Sequence, residues 1–327
     1  MQGSELKNKA EQREKKYARR LLGPLTNYRR ALAVLLAMAV FCPANPTALA
    51  GRLSKDRLGR EVMLPDNPRR VVALAPSITE IIYALGLEKH LVGATLYSDY
   101  PARALGLPRV GSYVNLDLEK IVALKPDLCI AIKDGNPKAI IDRLEDLKIP
   151  VYAVDPRNLD SVMDTIVSLG RLFNARQRAD LLVRGMSFRI QRVKQTLVDL
   201  EHRPGVFFQI GVAPIVSVGT NTFIHELIVL AGGENLAAGS VPYPRYNWEH
   251  LLALAPEIII ITSMTKAAVF EQVKAQWDQW PQIPAVRDQR VYIENSDLFD
   301  RPSPRLVDAL EVLARLIHPE RVGDGLK

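Results

Sequence analysis

Residues 115–127, N-L-D-L-E-K-I-V-A-L-K-P-D, run into the apolar L-C-I-A-I, and residues 246–257, Y-N-W-E-H-L-L-A-L-A-P-E, run into I-I-I-I. Aligned on Glu119 and Glu249, the two stretches match at Ala123/Ala253, Leu124/Leu254 and Pro126/Pro256, and in charge at Asp127/Glu257. Each reads as a short amphipathic helix, a proline stop and a buried strand. Each sets a glutamate in the first helical turn, where the macrodipole favours an anion and the side chain can stay exposed. A unit repeated 130 positions apart predicts two similar lobes, and a cleft between two lobes is a natural ligand site.

The rest of the chain fits that plan. Its 327 residues exceed one typical domain, and 48% hydrophobic content is that of a folded globular protein. The formal charge of +7 comes almost wholly from residues 1–50, which hold nine Lys/Arg and three Asp/Glu; beyond them 34 bases face 33 acids. No basic stripe remains for DNA or RNA, so no nucleic-acid partner is expected. Residues 1–50 read as an export leader: a basic stretch through Arg29-Arg30, an apolar run Ala31–Phe41, and Ala48-x-Ala50 as a small-residue cleavage site. The apolar run is short for a membrane span, though an uncleaved N-terminal anchor is an alternative. Cys42 follows bulky Phe41, a poor context for lipidation. A periplasmic location follows from the leader. Cleavage leaves Cys129 as the one thiol, a small core residue in L-C-I-A-I with no disulfide to form.

Strands and helices then alternate, the pattern of parallel α/β sheets. A hairpin is expected over 51–70, strands at Val71–Ala75, Leu91–Thr95, Leu128–Ile132 and Val151–Val154, and helices capped by Ser77 or Thr79, at Glu119–Leu124 and at Ala139–Leu147. A helix at 159–172 is followed by a longer one from about Ala175 to Asp199, whose apolar residues recur at steps of three and four. At about 37 Å it is long enough to join two lobes. The programme restarts with a strand Val206–Ile210, a helix Thr222–Leu230, the second copy of the repeat, helix Val269–Trp277, a strand at Val291–Ile293 and a last helix Pro304–Leu316. The fold class is therefore α/β: two parallel-sheet lobes joined by a long backbone helix, with a ligand cleft between them. The boundaries fall at 51–156 for the first lobe, 157–202 for the linking helices and 203–327 for the second lobe.

Catalytic signatures are missing. His225-Glu226 lacks the second histidine of a zinc protease, and the five histidines do not pair at ligand spacing. Neither G-x-S-x-G nor a P-loop occurs, so no enzyme activity, catalytic cofactor or resident metal is expected. Loops that leave strand C-termini, which face the crevice in such sheets, are instead rich in aromatics. They hold Tyr97 and Tyr100, then Tyr113, then Tyr243 and Tyr246, and the loop N-S-D-L-F-D-R-P-S-P-R adds Asp297, Phe299 and Arg301. Flat aromatic faces with a few polar groups suit a large planar or amphipathic ligand.

The leader, the two lobes, the linking helix and the segments Y-S-D-Y-P, N-L-D-L-E-K-I-V-A-L-K-P-D, G-G-E-N and S-P-R together resemble the helical-backbone class of bacterial solute-binding proteins. That class delivers cobalamin, haem or iron-siderophores to ABC importers, and the likeness spans residues 60–316. The combination of Y-S-D-Y-P, D-G-N, V-P-Y-P and S-D-x-F-x-R-x-S-P-R is most similar to its cobalamin-binding members. The resemblance implies that Tyr97 and Tyr113 flank a corrin ring, that Tyr243 meets it from the second lobe, and that Asp297 and Arg301 reach corrin side-chain amides. It also implies that Glu119 and Glu249 dock on the importer's membrane subunits, and that the protein works as a monomer. Tyr113 and Tyr243 stand where the class has tryptophan, and Ile132, Ile210 and Leu298 where it tends to be aromatic. A ferric siderophore or haem is the alternative ligand, with Arg157, Arg245 and Arg301 as candidates to meet anionic oxygens. A tetrapyrrole-processing enzyme such as a chelatase is the rival from another class.

Overall fold

A computed structural model describes residues 13–14, 51–263 and 273–323. The apolar run and cleavage site of the expected leader lie outside the described residues, as does the first part of the helix expected over 269–277, of which 273–277 are helical.

The hairpin is β1 (Gly51–Lys55) and β2 (Glu61–Pro65), antiparallel. Next come β3 (Val71–Ala73), α1 (Pro76–Ala84), β4 (Leu91–Ala94), α2 (Leu118–Ala123), β5 (Leu128–Ile132), α3 (Lys138–Asp146) and β6 (Val151–Val154). Helices α4 (Leu159–Leu172) and α5 (Arg176–Thr196) follow. The second half holds β7 (Gly205–Gln209), β8 (Gly211–Val212), β9 (Ile215–Val216), α6 (Phe223–Leu230), β10 (Glu234–Asn235), β11 (Arg245–Tyr246), α7 (Trp248–Leu254), β12 (Ile258–Ser263), β13 (Val291–Asn295), the one-turn α8 (Ser296–Phe299) and α9 (Leu306–Ile317). One parallel sheet runs β4-β3-β5-β6 and the other β10-β7-β12-β13. Numbered by appearance, both have the order 2-1-3-4, and the repeated unit supplies the third strand of each.

The duplication reaches single atoms. Asp117 caps α2 by accepting from the Lys120 N–H at 3.1 Å, and Asn247 caps α7 by accepting from the His250 N–H at 2.9 Å. Each helix ends on a left-handed residue just before the proline, Lys125 at φ 47° and Ala255 at φ 46°. The acid after the proline explains the charge match. Asp127 accepts the backbone N–H groups of Arg69 and Arg70 at 2.7 and 3.0 Å, and Glu257 accepts that of Gly205 at 2.8 Å. In both lobes the third strand is thus tied to the start of the first.

One apolar core runs through both halves: Ile78, Ile82 and Val154 of the first, Leu159, Leu169, Met186 and Val193 of α4 and α5, and Phe208, Ile260 and Leu310 of the second. Two satellite cores cover the other sheet faces, one around Val72 and Cys129, one around Phe207 and Trp277. Ionic contacts bind α5 to α9, where Arg189 meets Asp308 and Glu311, each at 2.6 Å. The core is continuous, so wide opening of the lobes would expose apolar surface at roughly 25 cal/mol per Å².

Three local expectations need correction. Helix α1 starts at Pro76 with Ala75 as its cap and no side-chain cap bond; Ser77 and Thr79 lie inside it. Proline suits that first position because its missing N–H would be unpaired there anyway. Helix α5 ends at Thr196 rather than Asp199. The three-stranded antiparallel sheet β11-β9-β8 was not expected, since two-residue strands leave no periodicity to read.

Candidate functional site

The strand C-termini of both sheets open onto one cleft of about 900 Å³. The first half contributes Tyr97, Asp99, Tyr113, Ile132 and Asp134, the approach to α4 contributes Arg157, and the second half contributes Ile210, Tyr243, Glu294, Asp297, Asp300 and Arg301. All five residues expected at the ligand, Tyr97, Tyr113, Tyr243, Asp297 and Arg301, therefore line the same cavity. Tyr97 and Tyr243 are more than half exposed. Arg245 lies on β11 and is not part of the lining. Leu298 packs against the main core.

Each tyrosine loop is held by its own bonds. Arg109 grips the loop after β4, donating to the Thr95 and Ser98 carbonyls at 2.8 and 2.9 Å. The buried Ser98 hydroxyl also bonds Thr95 and Thr79, at 2.9 and 3.0 Å. Asn136 holds the Tyr113 loop. Its amide donates to the Leu74 and Tyr113 carbonyls and its Oδ1 accepts from the Ile132 N–H, all at 2.8 Å. Gly135 (φ +130°) lies beneath the Tyr113 ring, where an added Cβ would sit 2.6 Å from Cδ2. In the second lobe the Tyr243 loop is stitched to β9 and the residues after it. Ser217 N–H donates to the Pro244 carbonyl at 3.0 Å and Gly219 N–H to that of Pro242 at 2.7 Å.

The lining is acidic. Asp99, Asp134, Glu294, Asp297 and Asp300 face only Arg157 and Arg301. Both arginines are already engaged. Arg157 Nε lies 2.9 Å from Asp155, and its Nη2 is 3.9 Å from Asp134. Arg301 meets Asp99 at 2.7 Å, Asp297 at 2.5 Å and Glu80 at 3.1 Å. Burial pushes the Asp300 carboxyl from 3.8 up to about 7, helped by the nearby Asp297 charge. Burial also raises Asp297 and Glu294. The sequence reading overlooked Glu80, Asp99, Arg305 and Asn136. The one available signal for Glu80 was an acid within the apolar run I-T-E-I-I.

Glu119 and Glu249 occupy the same position, two residues after the cap, on exposed turns of α2 and α7. Neither makes an ion pair among the described residues. Trp248, next to Glu249, turns inward, stacking on Trp280 at 5.6 Å and meeting Trp277 edge-on at 5.0 Å. Cys129 is fully buried, its thiol pushed up to about 12 by desolvation, so it is a core side chain. Glu226, flagged beside His225, accepts the Leu159 N–H at 2.7 Å at the start of α4. Among the described residues no group of three or more His, Cys, Asp or Glu is placed to hold a metal ion, and no helix is long and apolar enough to cross a membrane.

Two parallel-sheet lobes with the same strand order, helices between them and a cleft at the strand ends define a two-lobed ligand-binding protein. The family model described as "Periplasmic binding protein" matches residues 71–298, and the chain belongs to that family. It is similar to an uncharacterized ABC transporter substrate-binding lipoprotein of Bacillus subtilis, 32% identical over 81% of this chain and 85% of the relative. Among solved structures it is similar to the periplasmic vitamin B12-binding protein of Vibrio cholerae, at 32% identity and TM-score 0.69 over 77% of this chain and 97% of that one. It is also similar to a periplasmic heme-binding protein of Pseudomonas aeruginosa, at 27% identity and TM-score 0.72 over 78% of this chain and 94% of that one.

Proposed function

We propose that this protein is an extracytoplasmic solute-binding protein that captures cobalamin or a related corrinoid and delivers it to an ABC importer. The observation that carries the ligand reading is the lining of the interlobe cleft. Three tyrosines project from two lobes, and five acidic side chains, Asp300 among them with its proton held up to about pH 7, outnumber two arginines that each already meet an acid. A planar macrocycle edged with amide N–H donors suits such a surface: tyrosine faces meet the ring, and carboxylates accept from the amides. A ferric siderophore or a haem propionate would set anionic oxygens against those acids, with Arg301 committed to three carboxylates and only the outer nitrogens of the half-exposed Arg157 left to receive them. The likeness to the Vibrio cholerae vitamin B12-binding protein points the same way.

In this reading Tyr97, Tyr113 and Tyr243 contact the ring, and Asp297 receives the amides. Arg301, given its three carboxylate partners, orients Asp297 rather than reaching far into the cleft. The protein does no covalent chemistry, and the ligand leaves as it entered. Glu119 and Glu249, one per lobe at equivalent positions, dock on a two-fold pair of membrane subunits while the protein itself stays monomeric. Residues 1–50 act as the export leader or anchor, 51–156 and 203–327 as the two lobes, and 157–202 as the link. Haem is the second reading, supported by the likeness to the Pseudomonas aeruginosa heme-binding protein. Titration of the purified protein with cyanocobalamin and with haem, followed by visible absorbance and calorimetry, tests the choice. One-to-one binding of cyanocobalamin supports the reading; haem binding alone overturns the ligand.

A further inference from the structure

We infer that Glu80 is a positioning residue: its buried carboxylate locks the two lobes together at the rim of the cleft and so fixes the spacing of Asp99 and Asp297 across it. Glu80 belongs to α1 of the first lobe, and its side chain is 2% exposed. Its neighbours in sequence, Ile78, Ile81 and Ile82, are core residues. A carboxylate there is tolerated only if its oxygens are fully bonded. All four of its side-chain hydrogen bonds come from three residues of the second lobe. Arg301 donates to Oε1 at 3.1 Å, and Ser303 donates to Oε2 at 2.6 Å. Arg305 closes a two-pronged contact, Nη2 to Oε1 at 2.8 Å and Nε to Oε2 at 2.9 Å. The Arg305 guanidinium also lies 3.9 Å above the Tyr100 ring, so the first lobe holds it from two sides.

The network has a second end in the cleft. Arg301 reaches Asp99 of the first lobe and Asp297 of the second while holding Glu80. Asp99 and Asp297 both line the cavity and are partly exposed. With Glu80 neutralised, the two arginines of the second lobe lose the buried anion they share in the first; among the described residues Arg305 keeps no ion pair there, and Arg301 keeps only the half-exposed Asp99. The orientation of Asp297 toward Asp99 is then free to vary, and so is the separation of Tyr97 from Tyr243. If the aligned arrangement falls to about a tenth of the population, the apparent affinity falls about tenfold.

The inference rests on the cleft being the ligand site, so the experiment has an arm that needs no ligand. Amide hydrogen exchange is measured on the ligand-free wild type and on Glu80→Gln, and cyanocobalamin affinity and dissociation rate are measured on both, well below their melting temperatures. Faster exchange confined to residues 96–101 and 296–305, with roughly tenfold weaker binding through faster dissociation, is expected. Unchanged exchange in those segments overturns the lock. Faster exchange with unchanged affinity overturns the positioning role and leaves Glu80 a stability element only. Pairing Glu80→Gln with Arg305→Met, which removes both charges, is expected to restore thermal stability but not affinity; recovery of both overturns the inference. Should Glu80→Gln fail to fold, Arg305→Lys keeps the charge, removes the two-pronged contact and reads the same two quantities. If wild type binds no cyanocobalamin, the functional reading fails, and the exchange arm alone decides the lock.

Discussion

Asn136→Ala is the substitution whose cost follows most directly from the structure. The side chain is 9% exposed and makes three bonds of 2.8 Å, two to the carbonyls of Leu74 and Tyr113 and one from the Ile132 N–H. It joins the ends of β3 and β5 to the loop that carries Tyr113. Alanine leaves one donor and two acceptors without partners. At about 1 kcal/mol net per bond the loss is about 3 kcal/mol, and more where water cannot reach the orphaned groups. For a protein of this size that corresponds to a melting-temperature drop of roughly 4–5 °C. The Tyr113 ring also loses the anchor of its own carbonyl, so cyanocobalamin binding weakens along with the fold. Thermal melts followed by circular dichroism, with titrations at a temperature where both proteins are folded, read the two effects separately. Asn136→Asp keeps the acceptor but turns a carboxylate toward two carbonyls. Its folded pKa is therefore raised, and stability recovers as pH falls. A melting temperature for Asn136→Ala within about 2 °C of wild type would refute the clamp.

Other expectations can be checked alongside. Asp300 has its pKa raised in the folded state to about 7, so it retains there a proton that the unfolded chain releases. Its favourable contribution is complete below about pH 4 and is lost as pH rises through 7. Asp300→Asn should melt higher than wild type at pH 8 and equal to it at pH 4, whereas a uniform shift at both would contradict the assignment. Tyr97→Ala and Tyr243→Ala should each weaken cyanocobalamin binding several-fold, from about 0.5–1.5 kcal/mol of ring contact, with little change in melting because both rings are exposed; unchanged affinity in both would remove them from the site. Glu119→Arg with Glu249→Arg should leave cyanocobalamin affinity intact and abolish uptake through the importer in vesicles. Loss of binding with uptake would mean the pair is not a docking device.

Much of the fold could be read from the chain because its determinants are local. Proline after an amphipathic turn, a capping Asp117 or Asn247 and an unbroken apolar run announce a helix, a stop and a strand without reference to anything distant. The strands at 128–132 and 151–154 and the helix at 159–172 were legible to the residue for that reason. What could not be read depends on partners remote in sequence. Arg301 looked like a group reaching for ligand, but Glu80, 221 positions away, occupies part of its guanidinium. Glu80 carries no sequence signal beyond being an acid within an apolar run, and only the second lobe explains its burial. The aromatic and acidic loops could be assigned to a cleft because parallel sheets present their C-terminal loops there. The bonds that hold those loops, from Arg109 and Asn136, join residues whose proximity no periodicity reveals.

The central claim, that this interlobe cleft captures a corrinoid, is tested most directly by equilibrium titration of the purified protein with cyanocobalamin, beside cobinamide, haem and a ferric siderophore. The account predicts tight one-to-one binding of cyanocobalamin, weakened in Tyr97→Ala and Tyr243→Ala, and no comparable binding of the anionic siderophore. Binding of haem or siderophore with none of cyanocobalamin would contradict the ligand, and binding of none of the four would contradict the account of the cleft itself.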